Sequence, residues 1–267
     1  MTDWLEICRA AANDVERVLA ELPGRAEREP VVGDGEGGDQ TTAIDAAAEE
    51  VVVARFRALD GVTIVSEEVG ELGCVAGSGG STRVVIDPID GSLNAKRGIP
   101  FFSLSIAVAD GPAMEDVHFG YVKDFGSGEE WTAVRGEGAR LNGEPLGPEL
   151  PKDEIEILAF EATRTSYVAE KAEAMVGVAH RLRIMGSLAL SLCHLAAGRL
   201  DGVVSLKPAR SVDIAAGQLL VRERGLAIEL PEAPPFARAP LDLEARSRLV
   251  AAGTPELCET LAQALIG

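Results

Sequence analysis

Residues 84–92, from Val84 to Ser92, have the sequence VVIDPIDGS, and this stretch indicates both the architecture and the chemistry of the chain. It starts as a run of branched apolar residues, which predicts a buried β-strand, and it ends in two carboxylates three residues apart. Because Pro88 rigidifies the turn between them, Asp87 and Asp90 can point to the same side. Carboxylates at a strand end suit Mg²⁺, which prefers hard oxygen ligands.

The neighbouring groups extend this candidate site. The carbonyl of Ile89 lies between the two acids and can serve as a third metal ligand. Gly91 and Ser92 follow as a predicted helix start, where free backbone N–H groups can hold a phosphate. A calcium loop of the EF-hand type needs acids at alternate positions and a late Glu, and an aspartyl-phosphate phosphatase needs its two Asp residues two apart, so neither fits. The alternative that Asp87 caps a turn and Asp90 is solvated stays open on this stretch alone.

Three other segments carry acids, and each also has a structural explanation. Ser66-Glu67-Glu68 follows a short apolar strand, although glutamate pairs are common in surface turns. Asp213 opens a helix of small residues, where an aspartate is also a good N-cap. Thr42 and Asp45 fit a capping box, which is a purely structural role. None of the three segments indicates a function when it is taken singly.

Length and charge restrict the classes of function. The 267 residues are enough for one large domain or two modest ones, and the net charge is −18. This charge repels nucleic-acid backbones and anionic membranes, so neither is an expected partner. A phosphorylated substrate would be repelled too, unless cations mediate its binding. Since the chain supplies acids rather than basic residues, metal ions would have to bring the positive charge.

The cysteines and the N-terminus bear on the compartment. Cys8, Cys74, Cys193 and Cys258 are far apart and form no CxxC pair; all but Cys74 occur in apolar helical patterns and are predicted to be small core residues, as in a reduced cytosol. The N-terminal segment MTDWLEICRA lacks the basic region and apolar run of a signal peptide. No uncharged apolar stretch is long enough to span a bilayer. A soluble, cytoplasmic protein is expected.

The chain is predicted to form two halves, residues 1–150 and 151–267, because the pattern changes near Pro148 to Pro151. The glycine-rich, acidic stretch from Val32 to Gln40 is expected to be a mobile loop. In the first half, helices are predicted at Asp3 to Leu22 and Thr42 to Leu59, and strands at Val62 to Val65, Arg83 to Ile86, Ser103 to Ala109, His118 to Val122 and Trp131 to Val134. In the second half, strands at Ile155 to Phe160, Arg181 to Ile184, Val203 to Val204 and Leu249 to Ala252 alternate with helices at Val168 to Ala179, Ser187 to Ala197, Asp213 to Arg224 and Pro255 to Leu265.

Six segments in this order resemble the inositol monophosphatase family: GDQTTAID, SEE, DPIDGSLN, GIPFFSLSIA, GSLAL and SVDIAAG. They extend from about Asp39 to Gly225, and DPIDGS is a highly specific motif whose distance from Glu67 agrees with the family. The phrase Gly98-Ile99-Pro100-Phe101-Phe102 is most similar to the archaeal branch, which also hydrolyses fructose 1,6-bisphosphate. Taken together, the segments favour function over the structural explanations of the single acids.

The resemblance implies an α/β fold, a layered α-β-α-β-α sandwich of the sugar phosphatase type. The N-terminal half would carry two helices on a mostly antiparallel sheet, and the C-terminal half a mixed sheet between helices. The active site would lie where the halves meet. Family members are usually dimers, so a homodimer is expected.

The resemblance also implies roles for individual residues. The metal-binding glutamate of the SEE segment matches Glu67, which also counts among the catalytic residues; Asp87 would bridge two metals. The carbonyl of Ile89 would serve the first metal, and Asp90 and Asp213 the second. These sites would hold two Mg²⁺ ions, and a third, more weakly bound ion is compatible with them.

Water activation and phosphate binding are assigned in the same way. Ser92 and Asp45 match the pair that activates the attacking water. The backbone N–H groups of Gly91 and Ser92 would hold the phosphate. Ser187 matches the start of the sugar-facing helix, although a serine after glycine is also an ordinary N-cap.

Some residues depart from the family pattern. Ser92 stands where the family usually has threonine, and it keeps the hydroxyl. Leu206 stands where eukaryotic inositol phosphatases have a substrate-binding glutamate, so specificity for inositol phosphate is in doubt. Lys207 and Arg210 are close by and would either meet a second phosphate or be surface charges.

The expected activity is that of a Mg²⁺-dependent phosphomonoesterase that hydrolyses a small sugar or polyol phosphate, inositol 1-phosphate or fructose 1,6-bisphosphate or both. One alternative is a phosphatase for 3′-phosphorylated adenosine nucleotides, although aromatic residues that could stack adenine make up only 4% of the chain. Another is a catalytically inactive binding or regulatory homologue, which the intact acid set disfavours.

Overall fold

The computed structural model describes residues 2–36, 40–73, 82–162, 164–233 and 235–267. The helices in these ranges are α1 Trp4–Glu21, α2 Arg25–Arg28, α3 Ala43–Arg57, α4 Ser92–Arg97, α5 Thr165–Lys171, α6 Leu188–Ala196, α7 Ser211–Glu223 and α8 Pro255–Ile266. The strands are β1 Val31–Asp34, β2 Gln40–Thr42, β3 Val62–Ser66, β4 Gly70–Leu72, β5 Thr82–Asp90, β6 Ser103–Ala109, β7 Val117–Asp124, β8 Glu130–Val134, β9 Gly138–Leu141, β10 Glu144–Pro145, β11 Ile155–Glu161, β12 Ala179–Arg183, β13 Gly202–Ser205, β14 Ala227–Glu229 and β15 Val250–Ala252. Short 3₁₀ helices occur at Met114–Asp116, Glu173–Met175 and Phe236–Arg238.

These elements form five alternating layers. Helices α1 and α3 pack on one face of the first sheet, and α6 and α7 pack on its other face. The second sheet covers the far side of α6 and α7, and α8 closes the stack on its outer face. The fold is therefore the predicted α-β-α-β-α sandwich, in which each sheet is buried on both faces.

The first sheet has the strand order β10-β9-β8-β7-β6-β5-β3-β4. Its neighbours are antiparallel except for the parallel pair β3 and β5, which confirms a mostly antiparallel sheet. Along β5, Val84 and Ile86 face α1 and α3, whereas Val85 faces α6 and α7. Burial on both faces explains why the strand is a continuous apolar run rather than an alternating one.

The second sheet has the order β12-β11-β13-β15-β14 and is mixed, as predicted. Strand β11 is parallel to β12 and β13, whereas β15 is antiparallel to β13 and β14. Helices α6 and α7 come from the second half of the chain but form a common core with Val65 and Val85 of the first sheet. The predicted division of the chain into two halves, residues 1–150 and 151–267, therefore stays a prediction.

Most predicted elements occur within a few residues of their expected positions, and β6 has the expected bounds. The helix predicted over Val168 to Ala179 is wrong. Helix α5 ends at Lys171, a 3₁₀ turn follows, and Gly177 has a φ of 82°, which a helix cannot continue through. The chain enters β12 only at Ala179, so Val176 and Val178, which were expected on the end of the helix, lie in the turn before the strand.

The stretch from Val32 to Gln40 is likewise not a loop throughout. Strands β1 and β2 pair antiparallel, with Asp34 opposite Gln40, and the side chains of β1 are exposed. Residues 37–39 lie outside the described ranges. Backbone pairing with β2 gives β1 a regular structure that its composition does not indicate.

The cysteines agree with the prediction where they are described. Cys8, Cys193 and Cys258 are free thiols in the core, whereas Cys74 lies outside the described residues. Across the part of the chain that the structure covers, no helix has the length and apolarity needed to cross a membrane.

Parallel pairing positions the candidate site. Because β3 and β5 run in the same direction and are neighbours, their carboxyl ends meet at one edge of the first sheet. Glu67 follows β3 there, Asp87 and Asp90 end β5, and α4 begins directly afterwards. The N-terminal ends of α6 and α7 reach the same place from the middle layer.

Candidate active site

A cavity of about 470 Å³ lies at this edge, between the first sheet, α4 and the starts of α6 and α7. It brings together almost all of the residues that the sequence pattern singled out, from segments up to 168 positions apart. Those on its wall are Asp45, Glu67, Asp87, Ile89, Asp90, Gly91, Ser92, Lys207, Arg210 and Asp213. Ser187 is fully buried behind the wall.

Asp87 is buried at the end of β5, where its Oδ1 accepts a hydrogen bond of 3.0 Å from the backbone N–H of Ile89. Burial raises the pKa of Asp87 well above its ordinary value, and the negative charges of Glu67, Asp90 and Asp213 raise it further. This carboxylate therefore faces other acids rather than solvent. The alternative of a simple turn cap does not account for these neighbours.

Asp90 is also buried, so it is not the solvated residue of the alternative explanation. Its Oδ2 accepts hydrogen bonds from the Ser187 hydroxyl at 2.5 Å and from the backbone N–H of Ala189 at 2.7 Å. Burial raises the pKa of Asp90 to about 7, although these hydrogen bonds oppose the shift. The start of α6 thus holds this carboxylate, and Ser187 contacts Asp90 directly.

Arg210 lies between two other acids. Its Nη2 is 2.6 Å from Glu67 Oε1 and 3.1 Å from Asp213 Oδ1. Burial raises the pKa of Glu67 to about 7, and the charge of Arg210 opposes that rise. The alternative that Arg210 is a surface charge is wrong, since it is only 6% exposed.

Asp213 lies at the start of α7 and also lines the cavity. Helix α7 begins at Ser211, two residues before the predicted start, so Asp213 lies in the first turn rather than at the cap. Its Oδ2 accepts a hydrogen bond of 2.7 Å from the backbone N–H of Arg210. The carboxylate that closes the helix end also reaches the cavity.

Asp45 is similar, because the predicted capping box with Thr42 is present. Asp45 Oδ2 accepts from the Thr42 hydroxyl at 2.5 Å, and Lys96 Nζ lies 3.3 Å from the same oxygen. The other oxygen, Oδ1, is buried without a hydrogen-bond partner. Since a buried unpaired acceptor is costly, Oδ1 is suited to accept a bond from a molecule in the cavity.

A glycine is required where β5 turns into α4. Gly91 has a φ of 90°, and a Cβ there would lie 3.0 Å from the carbonyl oxygen of Gly186 and 3.1 Å from that of Phe101. The side-chain amide of Asn94 donates hydrogen bonds to Phe101 O and Met185 O. The start of α4 is therefore packed tightly against the segment that leads into α6.

Comparison with known proteins agrees with this geometry. The model of the inositol monophosphatase family matches residues 3–266. The chain belongs to the inositol monophosphatase family. The fructose-1,6-bisphosphatase/inositol-1-monophosphatase of Methanothermobacter thermautotrophicus is 34% identical over 98% of this chain and 96% of that protein. The protein of the same name from Thermococcus kodakarensis is 32% identical over 98% of this chain and 97% of its own length.

Two further known proteins are similar to this chain as well. The crystal structure of an inositol monophosphatase–fructose 1,6-bisphosphatase has a TM-score of 0.85 and 26% identity, and the match covers 98% of this chain and 100% of that one. A Nus factor SuhB from Pasteurella multocida is 38% identical over 70% of each chain. Family and fold are thus as the sequence motifs predicted, and membership supports a phosphatase of sugar phosphates. The family is generally metal-dependent.

The donor chemistry of the site fits a hard divalent cation. Glu67, Asp87, Asp90 and Asp213 offer carboxylate oxygens, and at least one of their pKa values is raised by the charges of the others. Within the described ranges, no three His, Cys, Asp or Glu side chains converge closely enough to form a ready metal site. Arg210 lies between Glu67 and Asp213, so these two acids already share a positive charge.

Lys96 and Glu161 are among the cavity residues that were not identified from the sequence. Lys96 lies one helical turn after Ser92 on α4, and that spacing alone places both on one face of the helix. Glu161 ends β11, and its carboxylate accepts from the backbone N–H of Gly186 at 2.8 Å and from the Ser191 hydroxyl at 2.8 Å. Glu161 therefore fixes the segment that presents Ser187 to Asp90. A strand that ends in an acid is the signal that would have indicated it.

Proposed function

We propose that the protein is a Mg²⁺-dependent phosphomonoesterase that hydrolyses a small sugar or polyol phosphate, including inositol 1-phosphate and fructose 1,6-bisphosphate. The observation that carries this proposal is the meeting of four acids from three separate segments, Glu67, Asp87, Asp90 and Asp213, beside the start of α4. A phosphate ester is repelled by such a cavity unless cations occupy it. Two bound Mg²⁺ ions would neutralise the ester, activate a water and stabilise the leaving oxygen.

The chain's own residues would divide the remaining work. Glu67, Asp87, Asp90, Asp213 and the carbonyl of Ile89 would hold the metals. Asp45 and Ser92 would orient the attacking water and accept its proton, and the unpaired Oδ1 of Asp45 supports this role. The backbone at Gly91 and Ser92 would hold the phosphate.

Specificity would depend on the outer wall of the cavity. Leu206 is buried in the core of the second sheet. An apolar side chain therefore stands where eukaryotic enzymes have the glutamate that binds inositol. Lys207 and Arg164 lie on the cavity wall and carry positive charge. This arrangement favours a substrate with a second phosphate. Ser187 would act on the sugar only indirectly, because its hydroxyl donates a hydrogen bond to Asp90.

Phosphate release from a panel of substrates tests this proposal. We expect turnover of fructose 1,6-bisphosphate at least comparable to that of inositol 1-phosphate, and none in excess chelator. Glycerol phosphate and 3′-phosphoadenosine 5′-phosphate complete the panel, the latter because it is the substrate of the alternative branch. Lys207→Gln should raise KM more for the bisphosphate than for inositol 1-phosphate. Equal activity in chelator would overturn the proposed dependence on Mg²⁺. Strict specificity for inositol 1-phosphate would overturn the proposed substrate range.

Assembly and location form a separate part of the proposal. We propose a cytoplasmic homodimer without nucleic-acid or membrane partners. The support is the family resemblance, the buried thiols of Cys8, Cys193 and Cys258 and the net charge of −18. Light scattering after size-exclusion chromatography measures the mass; a value near 56 kDa, twice that of the 28.0 kDa chain, is expected.

A further inference from the structure

Arg210 contacts two of the acids assigned to the metals, and this placement has a functional consequence. We propose that Arg210 is an internal counter-ion that shares Glu67 and Asp213 with the divalent cation, and that cation binding releases its guanidinium to hold the phosphate of the substrate. This inference rests on the proposed function, since it assumes that these acids bind metal. Arg210 would thereby couple the binding of the metal to the binding of the phosphate.

The distances show that the two cations compete for the same oxygens. Arg210 Nη2 is within hydrogen-bond distance of Glu67 Oε1 and Asp213 Oδ1, and Nε is 3.4 Å from Asp213 Oδ2. A metal bound to these carboxylates would lie within a few ångströms of the guanidinium if the side chain did not move. Like charges this close repel strongly where burial lowers the effective dielectric. Metal binding therefore favours rotation of the arginine side chain away from the acids.

A second observation indicates what the released group would bind. Arg210 Nη1 is buried and has no hydrogen-bond partner, which is costly for a charged donor. A guanidinium presents its donors as a planar fork, the geometry that suits bidentate contact with phosphate oxygens. The unpaired nitrogen is thus a donor that the protein's described groups leave unsatisfied. A phosphate on the metals would supply the acceptor.

The backbone restricts how Arg210 can move. The N–H of Arg210 donates to Asp213 Oδ2, and Ala209 forms backbone hydrogen bonds with Ser247 in both directions. The main chain at Ala209 and Arg210 is therefore held in place, so the movement that releases the guanidinium must occur in the side chain of Arg210. Asp213 keeps one anchor to the helix start whether or not it binds metal.

Charge explains why such a group is useful. The described residues on the cavity wall include seven acidic side chains and four basic ones. Without a counter-ion, Glu67 and Asp213 would repel each other across a buried space. Arg210 neutralises them until the metal replaces it, and its charge then favours an anion. Cation and phosphate should consequently strengthen each other's binding by the same factor.

Binding of Mn²⁺, measured by calorimetry with and without inorganic phosphate, tests this coupling. For the unsubstituted protein, phosphate should tighten Mn²⁺ binding. Arg210→Gln should bind Mn²⁺ at least about fivefold more tightly without phosphate, and the gain from phosphate should shrink by a similar factor. Arg140→Gln is the matched control, because it removes one charge from an exposed position outside the residues that line this cavity, and we expect less than about a twofold change.

Arg210→Lys provides a second variant, whose melting curve is recorded to verify folding. It keeps the positive charge near the acids but loses the fork, so Mn²⁺ affinity should stay near that of the parent while the gain from phosphate falls. The inference is overturned if both variants keep the parent's Mn²⁺ affinity and its full gain from phosphate. A parent protein that binds no Mn²⁺ overturns the proposed function itself, which is a distinguishable result.

Discussion

At the scale of single residues, several acids serve a local structural role and also face the cavity. Asp45 closes a capping box and Asp213 closes a helix start, yet both line the same wall. Asp90 instead accepts hydrogen bonds from the start of α6. A helix cap uses some of a carboxylate's lone pairs, and the others stay available for a metal or a water.

Ser92 allows a sharp test at this scale. Ser92→Ala should lower kcat by about 100-fold or more, the usual range for help from a general base, with KM little changed. Ser92→Thr is the matched control, since it keeps the hydroxyl and restores the residue that the family usually has. A Ser92→Ala enzyme with the parent's kcat would show that Ser92 has only a structural role at the start of α4.

The raised carboxyl pKa values predict how stability depends on pH. Burial raises the pKa of Glu67 and that of Asp90 to about 7, above the values of about 4 in an unfolded chain. Each group therefore stabilises the fold below its unfolded pKa, and this contribution is lost as the pH rises through about 7. In chelator at fixed ionic strength, Tm should fall by at least about 2 °C between pH 5.5 and pH 8.

Asp90→Asn is the variant to compare in that experiment. It removes one of the two titrating groups at little change in size, so its Tm should fall less over the same pH range. Thermal melts of both proteins in parallel give the answer. Equal slopes for the parent and the variant would show that Asp90 does not carry the effect.

Sequence patterns identified these residues unevenly, for a physical reason. Asp87 and Asp90 were found because their motif is continuous in the chain. The pairing of Arg210 with Glu67 joins residues 143 positions apart, and no local pattern encodes such a contact. Lys96 and Glu161 were missed because each has an ordinary local role and gains its function only from the packing around it.

At the scale of elements, the best predictions came from buried strands and the worst from short exposed segments. Strand β6 is buried at every position, so its apolar run has clear limits. Helix α5 has no fully buried residue and β12 is an exposed edge, so hydrophobic periodicity there is weak. The turn at Gly177 depends on backbone conformation rather than on an apolar pattern.

The turn from β5 into α4 gives a prediction for an element. Gly91→Ala should destabilise the protein by about 2–3 kcal/mol and lower turnover, because the Cβ meets two carbonyl oxygens and φ is positive. Gly98→Ala, at the other end of α4, is the matched control, with a φ of 70° and open space around the added carbon. It should cost only about 1 kcal/mol, the cost of the positive φ alone. Equal costs in urea unfolding would show that the packing at Gly91 does not matter.

At the scale of the whole molecule, the middle helices join the two sheets and complete the site. Glu67, Asp87 and Asp90 come from the first sheet, whereas Asp213 comes from α7 in the common core. A cation that binds all of them ties together three segments of the chain. Binding to the native protein alone stabilises it by mass action, about 2.7 kcal/mol at 100 times the Kd.

Mg²⁺ should therefore raise the Tm of the parent, and by less in Asp90→Asn. The matched control is Asp201→Asn, because Asp201 caps the second sheet by accepting from the backbone N–H groups of Lys152 and Ile157. Asp201→Asn should lower Tm but keep the full shift with Mg²⁺. If Mg²⁺ raised the Tm of Asp90→Asn as much as that of the parent, Asp90 would not be a metal ligand.

Turnover by Asp87→Asn tests whether the acids at the end of β5 form a metal site that hydrolyses phosphate esters. The substitution keeps the size of the side chain and removes the charge that faces three other acids. Phosphate release from fructose 1,6-bisphosphate is measured over a range of Mg²⁺ concentrations, with melting curves to verify folding. We predict a loss of at least about 100-fold that added Mg²⁺ does not restore, since even indirect supports of metal ligands cost 10–100-fold. A folded Asp87→Asn protein that releases phosphate at the parent's rate would show that catalysis does not depend on the carboxylate at the end of β5.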